Sequence, residues 1–373
     1  MISIFMVSLL ILNLITTSIL PFLDYILEPP SYGWQDFSGR LIKPSNRQIV
    51  KEFASRLNIF RSRKNWLSFV SWLQVLCLAP FFILFLTHFF HWGLFVAAFF
   101  YSMVFMGTHG TIWHHRYCTH GAYAFRNKFW MFFTRNLSLK IIPEEIYVIS
   151  HHVHHAKSDQ PGDPYNANAG FLYCFLADVN HQPIARDLNA EDYQRAVKLM
   201  THTGVQTNSF AAYKKWGSLA RPGLTVLHWF LNWGFWYGVF YLIGGHALSF
   251  ALFGGACFWA VGVRTFNFEG HGKGKHVQRD GIDFNRKDMS INQVWPGIVA
   301  GEWHNNHHLY PHSARSGFLW YQLDLAWCYI RALAFIGAVS TFNDSKSIFK
   351  RQFLSNNPNI VPTKAIKDPL TEQ

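Results

Sequence analysis

Eight of the chain's twenty histidines fall in three short clusters: His115 and His120 in HRYCTH, His151, His154 and His155 in HHVHH, and His304, His307 and His308 in HNNHH. A neutral imidazole is the commonest metal-ligating side chain, and it suits iron, zinc and copper. Residues three and four apart lie on one face of a helix, so the second and third clusters each aim their ring nitrogens at one point. His115 and His120 are five apart and would diverge by more than a third of a turn on an unbroken α-helix. The first cluster is therefore expected where a helix ends or bends. Three clusters built on related spacings point to a metal site. His109, His114, His152, His181, His202, His276 and His312 break the pattern and are expected to supply hydrogen bonds around the site instead.

The elements that must hold these clusters are apolar. Of 373 residues, 50% are hydrophobic, 18% aromatic and only 14% charged, a balance found in membrane proteins and not in soluble ones. No Lys, Arg, Asp or Glu occurs from Asn65 to His115 or from Pro222 to Val263. One crossing takes about 20 apolar residues, so each stretch accommodates two helices and a tight turn, at His91 and Trp92 in the first and at Gly244 and Gly245 in the second. The expected spans are 66–90, 93–113, 223–243 and 246–266. Eight basic residues from Arg40 to Lys64 stand against one acid, Glu52, and Lys214, Lys215 and Arg221 precede the second stretch. Neither turn carries a charge, so the positive-inside rule puts the polar chain in the cytoplasm. All three clusters then share one face, as a common centre demands. The net charge of +12 belongs to that face and suits anionic lipid headgroups or a phosphate-bearing substrate carrier.

The sequence thus reads as an all-α integral membrane protein: two transmembrane helical hairpins carrying a cytoplasmic helical cap. Residues 1–24 form an N-terminal hydrophobic segment, whose run Ile2 to Leu23 lacks the basic flank of a signal peptide and is a candidate fifth spanning helix. Residues 25–345 read as one domain, and 346–373, rich in Asn, Lys and Pro, as a disordered tail. Phe318 to Ser340 reads as an amphipathic interfacial helix, and Asn189 as the N-cap of AEDYQRAVKLM. The five cysteines form no CxxC pair and read as reduced thiols; Cys118, inside the first cluster, is expected to pack and not to ligate. Nothing suggests a nucleic-acid partner.

The runs HRYCTH, HHVHHAKSDQPGDPYNANAGF, NFEGH, DMSIN and GEWHNNHHLYPHSARSGFLWYQLDLAW resemble the membrane fatty acyl desaturases, particularly the acyl-CoA Δ9 (stearoyl-CoA type) branch and its bacterial relatives, over residues 60–340 or so. The resemblance implies nine histidine ligands for two iron ions: His115, His120, His151, His155 and His307 on one, His154, His271, His304 and His308 on the other, with Asn267 holding a water. His271 and Asn267 enter by the resemblance alone. The chain departs from the family at Ile149 and Ser150, where an Arg and an Asp are usual, at Asn168 and Ala169, where an Arg pair is common, and at Cys118, where a Trp is common. One residue is missing between Glu302 and Trp303. No ligand is lost, but the missing arginines leave acyl-CoA, acyl-carrier protein and lipid ester all open as carriers.

The implied reaction is O2-dependent insertion of a cis double bond into a saturated acyl chain, of Δ9 type, on acyl-CoA or another acyl thioester or ester. Taking hydrogens from an unactivated methylene requires an oxidant stronger than any side chain, which two Fe2+ ions and O2 would supply with no separate side-chain base. Residues that touch the substrate are not legible. No haem, flavin or iron–sulfur motif is present, so an external electron donor is implied, a cytochrome b5-like protein or a ferredoxin, and the basic face suits an acidic one. A hydroxylase or related oxygenase on the same scaffold would differ by putting oxygen into its product. A histidine-rich metal-binding or transport protein would instead string its ligands along the spans. The expected location is a bacterial inner membrane or the endoplasmic reticulum, with the active site on the cytoplasmic face. Single cysteines at 91 and 245 should then react with an impermeant thiol reagent from outside, and one at 152 only after permeabilisation; labelling of 152 from outside refutes this topology.

Overall fold

A computed structural model of the chain describes residues 22–176, 184–271, 302–320 and 322–354, which are mostly helical. Among the described residues three helices are long and apolar enough to cross a membrane: Arg63–His88, Trp92–Thr119 and Pro222–Gly270. The elements that matter for the site are, in chain order, α1 (Trp66–His88), α2 (Trp92–Thr119), β1 (Tyr123–Phe125), α3 (Lys128–Arg135), α4 (Glu144–Lys157), α5 (Ala190–Met200), α6 (Pro222–Gly262), α7 (Phe266–Gly270), α8 (His304–Leu309), α9 (Leu325–Phe335), β2 (Val339–Phe342) and α10 (Lys346–Phe349).

Both charge-free stretches turn back on themselves. α1 ends at His88 and α2 begins at Trp92. Within α6, Gly244 and Gly245 leave helical geometry, Gly245 at φ 64°, a left-handed conformation that glycine adopts without steric cost. The chain reverses there: the rings of Trp233 and Phe253 lie 6.1 Å apart, whereas twenty residues of straight helix would separate them by about 30 Å. The second arm of α6 then meets α1 and α2 through small residues. A Cβ on Gly254 would stand 3.0 Å from the Phe82 Cα, and one on Gly255 only 2.7 Å from the Ala98 carbonyl oxygen, so backbones touch where glycine permits it. Around this contact Val75, Leu78, Met103, Met106, Phe253 and Ala256 form one core.

A second core lies in the polar half, where Ile112, Trp113, Val148, Ile149, Tyr193, Tyr213 and Ile330 pack together. Asn189 caps α5 as expected, accepting from the Asp192 N–H at 2.9 Å, and Cys118 is buried in this core. Residues 1–21 lie outside the described residues, but Phe22 and Leu23, the end of the N-terminal apolar run, sit inside the core with Ile26 and Leu27.

Three expectations need correcting. The run from Phe318 to Ser340 is not one helix: only Leu325–Phe335 is helical, because the Asp324 carboxylate caps the Trp327 N–H at 2.8 Å and Gly337 at φ 75° ends the segment. The chain is not purely α-helical, since β2 pairs antiparallel with β1, Tyr123 opposite Phe342. The start of the tail is ordered: Lys346–Phe349 is helical and Phe349 is buried against Phe318 and Tyr310, because one aromatic among polar residues suffices to close that small cluster.

Substituting Gly255→Ala should overpack the helix contact and cost about 1–3 kcal/mol, lowering the thermal midpoint in detergent. Gly234→Ala, where nothing lies within 4 Å of the added methyl group, should leave the midpoint unchanged or higher. Equal midpoints would refute the close contact.

Candidate metal centre

Each cluster is aimed by a different local device. In α2 the segment Thr111–Thr119 winds as a π-helix, and the His120 N–H donates to the His115 carbonyl five residues back at 3.1 Å. The wider turn superposes residues five apart, so the two rings lie 5.0 Å from each other. The helix does end at this cluster, but it is the widening that aligns the rings; such turns recur at functional sites.

The second cluster rides on α4, whose N-terminus is pinned by two buried acids. Glu144 accepts from Arg135 at 2.7 Å and Lys140 at 3.2 Å. Burial would raise its pKa, but the two cations hold it well below the usual carboxylate range. Glu145 accepts from Ser218 and from the Leu219 and Ala220 N–H groups at 2.6–2.9 Å. Acids at a helix N-terminus also complement its dipole. The third cluster occupies the short α8, held to the first by Arg116, which is 0% exposed. Its guanidinium donates to the Ala314 carbonyl at 2.5 Å, to Ser316 at 2.9 Å and to Asp324 at 3.0 Å.

These devices bring nine histidines into two adjoining groups. His115, His120, His151, His155 and His307 form one, and His154, His271, His304 and His308 the other; within each, the ligand atoms lie within 4.8 Å of one another. The groups meet where His155 stacks on His308, ring centroids 4.5 Å apart. In the first, the Nε2 atoms of His115, His151, His155 and His307 form a closed ring with contacts of 2.7–3.1 Å. In the second, the His304 Nε2 lies 2.8 Å from that of His271 and 3.1 Å from that of His308.

At four of the nine rings a carboxylate directs the proton away from these centres. Buried carboxylates face the other ring nitrogens: Asp163 stands 2.9 Å from the His154 Nδ1, Asp159 3.1 Å from the His271 Nδ1, and Glu302 faces Nδ1 of both His115 and His307. A carboxylate at Nδ1 keeps the proton there, so Nε2 offers a bare lone pair. Burial and then neighbouring imidazoles hold His120, His151, His154, His155, His304, His307 and His308 well below the ordinary histidine pKa, and thus neutral. Two bare lone pairs facing each other at 2.8 Å repel unless a cation lies between them. Two nitrogens at right angles on an ion with bonds of about 2.1 Å lie about 3 Å apart, matching the spacings here. Among the described residues the buried Nε2 atoms of His120 and His154 have no hydrogen-bond partner. The residues fit two metal ions.

Asn267, one turn before His271, lines a cavity of about 60 Å³ together with His115, His151, Tyr147, Tyr165 and Glu302. The other wall is Gly107, Gly110, Trp259, Val263 and Phe266, so an apolar pocket opens directly onto the first group. Four of the histidines outside the pattern make hydrogen bonds, whereas His152 instead lies against the His120 ring, centroids 6.4 Å apart. His109 bonds the Thr134 carbonyl at 2.7 Å, His114 the Ile142 carbonyl at 3.1 Å, His202 the Tyr117 carbonyl at 3.2 Å and His312 the His120 carbonyl at 2.8 Å. His181 and His276 lie outside the described residues. Spacing missed Asp159, Asp163 and Glu302. The signal for the first two was present in SDQPGDPYN, which puts two acids beside a ligand helix. Asp159 has φ 60°, the one positive value among described residues other than glycine, and strain of that kind collects where a side chain must be aimed.

The fatty acid desaturase family matches residues 90–337. The sn-1 stearoyl-lipid 9-desaturase of Anabaena variabilis is 29% identical over 197 residues, 51% of this chain and 62% of that protein. Delta-9 acyl-lipid desaturase 1 of Arabidopsis thaliana is 30% identical over 242 residues, 61% and 68% of the two chains. The hex-5-enoyl-(acyl-carrier protein) acetylenase of Moorena producens is 30% identical over 247 residues, 60% and 69%. The match thus spans under two thirds of the Anabaena protein. No solved structure matches the chain.

Replacing His271 with Ala should lower the metal bound per chain, whereas His202→Ala, at an exposed ring, should leave it unchanged. Elemental analysis of the two purified variants decides; equal metal content would remove His271 from the centre.

Proposed function

The chain belongs to the fatty acid desaturase family, and from there we propose that it inserts a cis double bond into a saturated fatty acyl chain, at Δ9, with O2 as co-substrate and two iron ions as cofactors. The observation that carries this reading is the pairing of two all-histidine groups with an apolar cavity on which His115 and His151 open. His115, His120, His151, His155 and His307 would hold one iron and His154, His271, His304 and His308 the other, with Asn267 holding a water. Bound there, iron supplies the O2 activation and hydrogen abstraction that no side chain can perform.

The chain's own residues do the rest. Neutral imidazoles add no negative charge, so the centre keeps most of its positive charge, unlike sites bridged by carboxylates. Glu302, Asp159 and Asp163 hold the Nδ1 protons and keep Nε2 free. Gly107 and Gly110 line the cavity along α2, and Trp259, Val263 and Phe266 exclude water from it; a methylene chain offers nothing polar to grip, so shape must position it. The relatives are named for acyl-lipid, acyl-carrier-protein and acyl-CoA substrates alike. Where family members usually carry an arginine this chain has Ile149, buried in the cap core; with no cation there to meet the phosphates of acyl-CoA, a lipid-linked acyl chain is the reading adopted. Electrons would come from a separate carrier protein. Both hairpins would span the membrane, making four crossings with the histidine groups on the cytoplasmic side, and residues 25–345 would form one domain.

Expression in a host lacking desaturases should produce new cis double bonds, mapped by mass spectrometry, first in membrane lipids after a pulse of labelled saturated fatty acid. Appearance first in the acyl-CoA pool overturns the lipid-linked reading, and oxygen incorporation without unsaturation overturns desaturation in favour of a hydroxylase. The active preparation should hold two irons per chain; zinc binds such nitrogen sites more tightly than Fe2+, so zinc-filled protein should be inactive.

A further inference from the structure

We propose that Glu302 is the positioning residue of the five-histidine group, and that it ties the first histidine cluster to the third through a single carboxylate. One oxygen faces the His115 Nδ1 and the other lies 3.4 Å from the His307 Nδ1, while the Arg116 guanidinium stands 3.8 Å away. Glu302 is 3% exposed. Its position follows from the chain: only Trp303, extended at φ −93° and ψ 91°, separates it from α8, so the acid lies beside the helix whose His307 it orients. His115 comes from α2, nearly two hundred residues earlier, and the two rings meet with Nε2 atoms 2.8 Å apart. Their lone pairs converge only while both Nδ1 protons point outward, towards the carboxylate of Glu302.

The four-histidine group has its own acids. Asp159 serves His271 and Asp163 serves His154, and the Asp159 N–H donates to Asp163 at 2.7 Å, so that pair is built within one loop. Among the described residues no ion pair joins either aspartate to the five-histidine group, nor Glu302 to the other. Although the two groups share α4 and α8, the carboxylates that orient them are therefore separate, and each set can be removed without the other. This goes beyond the proposed reaction but rests on the reading of the nine histidines as metal ligands.

The test is metal binding by purified full-length protein, titrated with Co2+ and followed by its visible absorption, alongside Glu302→Gln, Glu302→Asp and Asp159→Asn. Wild type should bind two ions. A glutamine in place of Glu302 can accept at only one oxygen, so Glu302→Gln should weaken one site by roughly 10- to 100-fold and leave the other at wild-type affinity, with an unchanged melting midpoint for the metal-free protein. Glu302→Asp, which keeps both acceptor oxygens, should recover part of the loss, and Asp159→Asn should weaken the opposite site, removing a different absorption band. Two sites of wild-type affinity in Glu302→Gln overturn the proposal. So does parallel weakening of both sites, since Glu302 would then hold the fold and not one group. A wild-type chain that binds no ion overturns the metal reading itself, a result distinguishable from either.

Discussion

Imidazole lone pairs crowded into two small volumes repel one another, and the rest of the structure depends on holding them there. Every such ring must be neutral, must point Nε2 inward and must be kept from turning over to find water or a carbonyl. Burial accomplishes the first, because a charged imidazole is poorly solvated in the cap interior. Carboxylates on the outer side accomplish the second for His115, His154, His271 and His307. The third is the work of the helices, which fix where each ring begins.

Those helices explain why the centre sits at the boundary of the apolar and polar halves. α2 carries its histidine pair only after more than four turns of apolar sequence, and α6 with α7 delivers His271 after a comparable path. Inside the apolar half, glycine contacts such as Gly255 on Ala98 fix the depth of each helix, and depth sets the height at which its last residue emerges. A helix displaced by one turn would move its histidine by about 5.4 Å, more than the whole extent of either group. The tight packing of the hairpins and the geometry of the centre are one constraint.

The polar half closes the centre from the other side. Arg116 illustrates how: adjacent to a candidate ligand and fully buried, it gathers Ala314, Ser316 and Asp324 around itself, and Asp324 in turn caps α9. One guanidinium thereby fixes the loop that follows α8, a task suited to arginine because its planar fork holds several acceptors at once.

The sequence by itself determined the kind of chemistry and its surroundings. Histidines at three- and four-residue spacing declare their convergence because helical geometry is local, and charge-free stretches declare helices of spanning length because every backbone group in an apolar medium must bond within its own segment. Paired glycines declared the reversal in α6 for the same local reason. What only the tertiary structure decided were relations between segments far apart in the chain. His271 has no spacing partner: the resemblance named it, but its meeting with the His304 ring and with Asp159, 112 residues earlier, is a matter of the fold. The alignment of His115 with His120 required a π-turn that composition does not announce. The start of α9 at Asp324 and the order of Lys346–Phe349 follow from a buried arginine and a small aromatic cluster assembled from three parts of the chain. Periodicity reports which face of an element is apolar; it carries no record of which distant carboxylate will meet that face.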